Sequence, residues 1–525
     1  MGLRTRLFRA MGFAPIRQRR PRRMYEGATV SRLTSDWIAG GTSADAEING
    51  SISRLRNRAR QLVRDSDYAR QAKRAVVHNV IGSGIKLQAQ VMMQRGGRLD
   101  DQLNGAIEAA WLRWGYKQHC DVAGRLCFTD IERMAIGAMC ESGEIFIRII
   151  RQPFGGSGVP FALQLIESDQ LDETYNGNST VAGNEWRMGV EVDRWGRPVQ
   201  YAFLSSHPGD APFGGMPGKR HLMLPANEVI HLALLDRPGQ TRGVTWFASA
   251  IKRMHHLSGY EEAEVVRARA ASALMGFITS PEGELIGDEV MDGERVTAFE
   301  PGTFKYLQPG ESVSVPSLDA PDGQFEPFTR AMLRAVAAGI GCSYETVSRD
   351  FSQTNYSSSR LSLLEDREHW RMLQDYMVKN FHQPIYEAWL EMAVMSGSLN
   401  LPLYEVDPMR FKRVKWVPRA WGWVDPQKEV AAYRDAVRCG FKTLAQVVAE
   451  QGGDLDELLL SRRAELDKLE ELGIAVDTDP GAVTQQGMAQ PLPVEPASDE
   501  MVGGEDEDLE EDLAEDDLAP DLESV

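Results

Sequence analysis

The chain has 525 residues, enough for roughly two to four domains, and its 42% hydrophobic and 26% charged residues are ordinary proportions for a soluble globular protein. No stretch approaches the roughly 18 uninterrupted apolar residues of a membrane span. The first 23 residues contain arginines but no apolar core of a signal peptide. We therefore predict neither a membrane segment nor a secretory leader.

The net charge of −18 is distributed unevenly along the chain. Residues 469–525 contain 19 acidic residues and no Lys or Arg, so residues 1–468 hold 57 acidic against 58 basic residues. Residues 1–25 carry eight arginines and no acid. We predict disordered termini, a basic flexible arm over 1–48 and an acidic tail over 474–525. The nearly neutral body predicts only weak, non-specific contact with nucleic acid.

Residues 49–250 are predicted to form a mixed α/β region. Apolar residues at helical spacing favour a helix from Ile52, and Ser66 can begin a second helix that ends at Gly82 or Gly84. Another helix is predicted over 100–118. The pattern then changes to β-rich runs, one of them a hairpin around Trp195. These runs are 144–150, 161–167, 190–204 and 228–235.

A helix, a small β insert and a returning helix are predicted next. Residues 251–277 carry a stripe of mostly small residues that lets helices pack closely: Ala263, Val266, Ala270, Ala273 and Phe277. Residues 278–326 are expected to form short strands with Pro-Gly turns. The helix over 327–342 ends at Gly341.

A polar loop is predicted over 343–358, followed by a long helix and its return over 359–420. Ser362 and Glu365 have capping-box spacing, and Pro384 is expected to kink the helix. Residues 421–473 are predicted to hold three short helices, because helix-start and helix-stop residues alternate along them. The overall fold class is therefore α+β.

A search of the sequence for catalytic and ligand-binding motifs finds no complete one. GGMPGKR at 214–220 resembles a phosphate-binding loop, but Pro217 removes an amide and Lys219 is not followed by Ser or Thr. His255 and His256 are adjacent and cannot share a helix face, and His231 is interpreted as a satisfied core histidine. The five cysteines lack ligand spacing and are expected to be free thiols: Cys120, Cys127, Cys140, Cys342 and Cys439. We predict no enzyme activity, no metal and no cofactor.

Several segments together resemble the portal proteins of tailed bacteriophages, in the lambda-like family. The resemblance covers roughly residues 30–470 and is distributed rather than confined to one motif. LIESDQLD (165–172) and VEVDRWGRPVQYAF (190–203) fit the family's pattern. Its clearest segments are LPANEVIHLALLDRPGQTRGVTWFASAIKRMHHLSGYEEAEVVRARAAS (224–272), NYSSSRLSLLEDREHW (355–370) and WGWVDPQKEVAAYRDAVRCGFKTLAQVVAEQGGD (421–454).

The resemblance implies a ring, typically of twelve subunits, at one vertex of the capsid. Double-stranded DNA would pass through the channel, with the terminase large subunit docking first and a head-completion or adaptor protein afterwards. Contacts with major capsid and scaffold proteins are also implied, as is a place in the virion after assembly in the host cytoplasm. The portal fold implies an α/β wing, stem helices, a small β-rich clip and a helical crown. These correspond to 49–250, to 251–277 and 327–342, to 278–326, and to 421–473.

In this reading, residues 343–358 form a loop that projects into the channel. Such a loop must touch any DNA sequence and release it, which favours hydroxyls, amides and an isolated arginine over a basic cluster. Phe351 and Tyr356 are expected to pack at the loop base. The predicted DNA-contacting residues are Ser348, Arg349, Ser352, Gln353 and Asn355. An ordinary solvent loop is the alternative for this segment.

Two alternatives to a portal stay open from the sequence. One is another capsid-assembly protein, such as a minor head or shell protein. The other is a capsid-associated hydrolase, which the absence of a recognisable catalytic motif disfavours.

Overall fold

The computed structural model describes residues 40–93, 99–210, 221–272, 325–422 and 425–474, with short pieces at 32–36 and 277–323. Most of the predicted arm and β insert, the whole of 214–220 and the acidic tail after 474 lie outside the described residues. The chain divides into two compact units, residues 1–454 and 455–525.

The first unit begins with three helices whose apolar residues recur at helical spacing. Buried Ile52, Ala59 and Val63 line one face of the second helix, and Ser66 accepts a hydrogen bond from the amide of Ala69 (3.5 Å) as the predicted cap of the third. The predicted arm is too long, because the first helix already begins at Ala44. These helices are α1 (Ala44–Asn49), α2 (Ile52–Asp65) and α3 (Asp67–Val80).

Two antiparallel sheets follow, and they share one packing interface. A three-stranded sheet has the order β3-β2-β9, and a five-stranded sheet runs from β4 to β8 in sequence order. The helices and strands of this region are β1 (Lys86–Ala89), α4 (Asp101–Trp114), α5 (Phe128–Ser142), β2 (Glu144–Ile150), β3 (Ala162–Ile166), β4 (Gly177–Asn178), β5 (Glu185–Arg187), β6 (Val190–Val192), β7 (Pro198–Leu204), β8 (His221–Pro225) and β9 (Val229–Ala233).

Strand β2 is buried on both faces, which explains its nearly continuous apolar sequence. Because side chains alternate along a strand, Ile145, Ile147 and Ile149 enter the main core beneath the helices. Phe146 points the other way and meets Tyr201 and Phe203 of the five-stranded sheet at ring-centroid distances of 5.7 and 5.2 Å. The strand therefore joins two hydrophobic cores.

A buried ion network lies where β2 begins. Arg242, fully buried, donates from Nε to Glu144 Oε1 (2.8 Å), and the Gly243 amide donates to Glu144 Oε2 (2.8 Å). Arg242 Nη1 also donates to the carbonyl of Met188 (2.7 Å). His231 Nε2 contacts the same carboxylate at 3.0 Å, so the predicted satisfied histidine is confirmed. Arg242 thus links the three-stranded sheet to the loop that precedes β6.

Two helices with short strands between them connect the sheets to the long helix. The structure has α6 (Ile251–Ser272), the strands β10 (Phe277–Thr279), β11 (Val290–Met291), β12 (Glu294–Arg295) and β13 (Ser312–Ser314), and α7 (Phe325–Ile340). The sequence prediction of one helix from 251 to 277 is therefore wrong at its end, because Phe277 pairs with Ser314 in a short sheet. The returning helix starts at 325 rather than 327, and the Pro at position 327 is accommodated in its first turn, where a backbone N–H is not needed.

The C-terminal part of the first unit is mainly helical. Its elements are α8 (Tyr344–Ser348), α9 (Tyr356–Met377), α10 (Gln383–Met395), α11 (Pro408–Phe411), β14 (Val414–Val417), α12 (Pro426–Arg438) and α13 (Leu444–Glu450). Asp425 caps α12 and Thr443 caps α13, which are helix-start residues of the kind that the sequence pattern indicates. In the second unit, α14 spans Leu455–Glu471.

Pro384 follows a π-helical turn, Val378–His382, between α9 and α10. Proline cannot donate the hydrogen bond that would continue the helix, and a π turn is one way to absorb that loss. The turn places the buried His382 ring against the buried carboxylate of Glu132 on α5. Helix α9 is thereby joined to the main core at its end.

Aromatic rings fill the centre of the main core. Trp111 of α4 contacts Trp114 (4.8 Å between ring centroids), Phe128 of α5 (5.1 Å) and Trp389 of α10 (5.1 Å). The long helix and the π-helical turn contribute further buried side chains to this core: Trp370, Leu373, Met377, Phe381 and Ile385. Within the described residues, no helix combines the length and the apolar character that a bilayer crossing requires.

Candidate functional site

The polar segment between α7 and α9 is shorter and more ordered than the sequence predicts. Gly341, with φ +84°, ends α7, and Ser343 then caps the short helix α8. Helix α9 begins at Tyr356 rather than 359. The irregular segment is therefore only 349–355, and we call it the 349–355 loop.

Asn355 is the cap of α9, which corrects the predicted capping box at Ser362 and Glu365. Asn355 Oδ1 accepts from the Ser358 amide (2.8 Å), while Ser358 Oγ accepts from the Asn355 amide (3.2 Å). Both amides lack intrahelical partners at a helix start, so this reciprocal pair fixes where the helix begins. Ser362 and Glu365 lie inside the helix.

Asp366 on α9 anchors α8 to the long helix. Its buried carboxylate accepts hydrogen bonds from the Ser343 amide (2.8 Å), the Ser343 hydroxyl (2.7 Å) and the Thr346 hydroxyl (2.6 Å). A third element contributes through Gln71 of α3, which donates to the Thr346 carbonyl (3.2 Å). The base of the 349–355 loop is therefore fixed from two sides.

Asp350 holds the start of the loop itself. It accepts from the Ser352 amide (3.0 Å) and from the Tyr344 hydroxyl (2.8 Å), and Arg330 of α7 lies 3.8 Å away. Hydrogen bonds from Ser352, then from Tyr344, lower the pKa of Asp350 to about 2. The carboxylate is therefore charged at neutral pH and keeps the loop turned around it.

The predicted contact residues divide into two groups. Ser348 is half-buried, donating to the Tyr344 carbonyl (2.8 Å) and accepting from the Asp350 amide (3.1 Å), and Asn355 serves as the cap. Arg349, Ser352 and Gln353 are exposed. Arg349 adopts the left-handed conformation (φ 59°, ψ 20°) that ends α8. Contact of any of these residues with DNA stays a prediction.

Phe351 does not pack at the loop base, and that expectation is wrong. Phe351 is 56% exposed, and it is the neighbouring Asp350 that contacts Tyr344 at the loop base. The side chain of Tyr356 lies outside the described residues. Asp350 and Phe351 were not predicted as site residues, although an Asp two residues before a Ser is a known turn signal.

One group of possible metal ligands occurs in the described part of the chain: Glu167, Asp169 and His207. Arg60 pairs with Asp169 (2.5 Å) and Glu167 (3.6 Å), and Arg56 lies 3.3 Å from Asp169. Since guanidinium groups already neutralise these carboxylates, the group forms an ion-pair cluster that ties α2 to the sheet region. Two of the many arginines of α2 are thus structural.

Comparison of the sequence with known protein families identifies the class of protein. The family described as phage portal protein, lambda family, matches residues 30–374, and the chain belongs to that family. A probable portal protein of Halomonas phage phiHAP-1 is 31% identical over 465 residues, covering 86% of this chain and 88% of the relative. The predicted lambda-like family is therefore confirmed.

More distant relatives carry the same description. Portal protein B of Escherichia phage lambda is 23% identical over 494 residues, covering 86% of this chain and 91% of the relative. The portal protein of Escherichia phage N15 is 22% identical over 463 residues, covering 80% and 85%. Among solved structures, the neck of an empty GTA particle is similar with a TM-score of 0.42 and 14% identity, covering 75% of this chain and 93% of that one.

Proposed function

We propose that this chain forms the portal ring at a unique capsid vertex, through which double-stranded DNA is packaged and later ejected. The observation that carries the proposal is the family match over residues 30–374. The ring, expected to have twelve subunits, docks the terminase large subunit and then a head-completion or adaptor protein, and it meets the major capsid and scaffold proteins. The virion is its location, reached after assembly in the bacterial cytoplasm.

The parts of the ring follow from the order of elements. We assign the α/β region 49–250 to the wing, α6 and α7 to the stem, the strands between them to the clip, and α12 to α14 to the crown. The order of elements supports the assignment: antiparallel sheets within 49–250 are followed by α6, by short strands and then by α7. No catalytic role is assigned, because portal proteins are a structural family.

The 349–355 loop is proposed to touch DNA in the channel. Arg349, Ser352 and Gln353 are exposed on a base fixed by Asp366 and Asp350. One guanidinium, a hydroxyl and an amide can contact phosphates of any sequence without the many ion pairs that would hold the duplex tightly. Phe351 adds an exposed ring that can lie against the sugar-phosphate surface.

Ring formation is tested by electron microscopy and solution mass of the purified full chain. We expect annular particles and a mass of about twelve chains. Closed shells would instead identify a shell protein, hydrolysis of DNA or ATP by the purified chain would identify a hydrolase, and a monomer under assembly conditions would contradict the proposal.

The loop is tested with the variant Arg349→Asn/Phe351→Ser/Gln353→Ser, which keeps Asp350 and uses Asn because it tolerates the left-handed conformation. We expect intact rings but fewer or shorter packaged genomes. The variant Gln427→Ser/Val430→Ser/Arg434→Asn on exposed positions of α12, which likewise removes one arginine, one apolar and one amide side chain, is the matched control. Full-length packaging at the normal rate in the loop variant would reject DNA contact by the loop.

A further inference from the structure

A cluster of positive charge lies away from the 349–355 loop, around a cavity of about 510 Å³. The cavity is bordered by α9, by β14 with the residues that follow it, and by α12 and α13. Its basic side chains come from three of these places: Arg367 and Arg371 from α9, Lys415 from β14, and Arg419 after the strand. We call this space the cationic cavity.

Trp421 holds two of the arginines at the cavity wall. The guanidinium carbons of Arg367 and Arg371 lie 5.8 and 5.6 Å from the centre of the Trp421 ring, an arrangement that stabilises a cation by the ring quadrupole. Arg367 also donates to the carbonyl of Gly422 (3.0 Å). The buried Nε of Arg367 has no hydrogen-bond partner within the described residues. The guanidinium groups are thus positioned by the protein before any ligand arrives.

The arginines are close enough to repel one another. Burial lowers the pKa of Arg367; Glu429 opposes this shift, and the positive charges of Arg371 and Arg419 add to it. Gathering like charges costs free energy that an anion between them would recover. The arrangement is therefore suited to a negatively charged ligand.

The carboxylates that line the cavity are each engaged by a basic residue that does not line it. Asp375 pairs with Lys379 (2.7 Å), Glu450 with Lys442 (2.7 Å) and Glu429 with Arg360 (4.0 Å). Their negative charge is therefore balanced largely from outside the lining. On the side of α9, Arg371 in turn pairs with Glu368, which lies outside the lining. The positive charge that an anion meets there therefore comes mainly from Arg367, Lys415 and Arg419.

The three aromatic rings in the wall already have protein partners, which disfavours base stacking. Trp416 packs against His382 and Tyr386, and the ammonium group of Lys442 lies over the ring of Tyr433. Trp421 lies against Trp370 (6.0 Å between centroids) as well as against the two guanidinium groups, and its indole nitrogen donates to Asn79 (3.0 Å). A nucleobase would have to displace these contacts. Phosphate oxygens need only the guanidinium and ammonium groups, which form charge-assisted hydrogen bonds with them.

We propose that the cationic cavity binds the phosphate backbone of double-stranded DNA, as a contact separate from the 349–355 loop. This inference rests on the proposed function, since it is a portal that would bring duplex DNA to this surface. Contact through phosphates is independent of sequence, in keeping with a nearly neutral body that carries its positive charge in local clusters. Arg371 and Lys415, the more exposed pair, are the groups expected to reach the duplex first.

The proposal is tested by fluorescence anisotropy with the full chain, a 20-base-pair duplex and a salt series. In Arg371→Gln/Lys415→Gln, we expect roughly tenfold weaker binding at about 0.1 M salt, and a slope of log K against log salt that is smaller in magnitude by about 1 to 2. Arg434→Gln/Arg438→Gln removes the same charge from exposed positions of the neighbouring α12 and should leave both quantities within about twofold of the unchanged chain.

The outcomes separate this inference from the proposed function. Equal losses of DNA affinity in both double variants, or no loss in the cavity variant, would overturn the inference. The proposed portal function would be unaffected by that result if the chain still forms rings and packaging still depends on the 349–355 loop. If polyglutamate of matched charge competes better than duplex and this competition depends on Arg371 and Lys415, the ligand is an acidic peptide and the DNA assignment is wrong. Absence of rings would count against the proposed function itself.

Discussion

Glu144 opens strand β2 with a carboxylate that is fully shielded from water. Burial alone would raise the pKa of Glu144, but the positive charge of Arg242 and the hydrogen bond from His231 outweigh burial and hold this pKa well below its usual range. Each oxygen of the carboxylate also receives a hydrogen bond, from Arg242 Nε and from the Gly243 amide. Replacing both members of such a buried pair by apolar residues often changes the stability little. Removing only one member is costly, because it leaves the other charge buried without a partner.

Replacing Arg242 with Ala should therefore destabilise the first unit strongly. The change leaves Glu144 buried and without its main partner, and we expect the free energy of unfolding to fall by about 3 to 5 kcal/mol, measured by urea unfolding. Arg64→Ala, which breaks an exposed pair with Asp65, should cost less than about 1 kcal/mol. Equal effects of the two changes would contradict a buried network.

The same carboxylate predicts how stability depends on pH. Its pKa is lower in the folded chain than the ordinary value of 4.5, so its contribution is fully present above about pH 4.5 and is lost as the pH falls toward the folded pKa. Glu144→Gln removes this titration. Denaturant midpoints between about pH 6 and 3 should fall less steeply in the variant than in the unchanged chain, and parallel curves would refute the assignment.

At the scale of elements, α8 and the middle of α9 form one hydrogen-bonded unit around Asp366. Helix α8 has only five residues and would be marginally stable alone. It is stabilised because the buried carboxylate of Asp366 accepts hydrogen bonds from the amide and hydroxyl groups at its start. The 349–355 loop follows α8 directly and has its own contacts through Asp350 and Asn355. The loop is thus exposed to solvent, while the helix that precedes it is held in place by Asp366.

Asp366→Ala should loosen this unit. Without the carboxylate, the polar groups of Ser343 and Thr346 lose their partner, and we expect faster amide hydrogen exchange over 343–349 together with a stability loss of about 1 to 3 kcal/mol. Glu365→Ala, at an exposed position of the same helix, is the control and should leave exchange in that segment unchanged. Unaltered protection in the Asp366 variant would show that α8 is held by other contacts.

Sequence patterns predicted those elements that carry strong local signals. Apolar spacing and caps located α3, α12 and α13, and β-rich runs located β2, β3, β7 and β9. The errors arose where long-range contacts decide the outcome. A five-residue helix such as α8 has too few residues for a periodic pattern, and its partner Asp366 is 20 residues from Thr346. Asn355 and Ser362 have equally good capping chemistry, so sequence alone did not separate them.

The candidate sites differ in how far the sequence reveals them. The polar composition of 349–355 marked the loop, but the inward role of Ser348 and the outward position of Phe351 depend on the geometry of Asp350. The cationic cavity had no sequence signature, because Arg367, Lys415 and Trp421 are far apart along the chain. These residues come together because β14 and the residues that follow it lie beside α9 in the folded chain.

At the scale of the whole molecule, charge is separated along the chain. Residues 475–525 contain 17 acidic and no basic residues, so a chain ending at Ile474 carries a net charge of −1 instead of −18. Since a negative segment repels DNA within roughly a Debye length, we expect this truncation to bind duplex DNA more tightly at low salt. The gain should disappear above about 0.5 M salt.

Anisotropy titrations of the truncated and full chains would measure this gain. A full-length chain in which the acidic residues after 474 are replaced by Asn and Gln is the matched control and should behave as the truncation does. If only the truncation binds more tightly, the effect belongs to the bulk of the segment and not to its charge.

Helix α9 has a consequence for communication between the two surfaces. Asp366, which anchors α8, and Arg367, which lines the cationic cavity, are consecutive residues on one turn, and Trp370 sits one turn further on, against Trp421. Close-packed interiors transmit strain between neighbouring side chains, so the two adjacent residues are not expected to move independently. A movement of this part of α9 would displace the anchor of α8 and the arginines of the cationic cavity together. A ligand bound in the cavity would then alter how the 349–355 loop is presented.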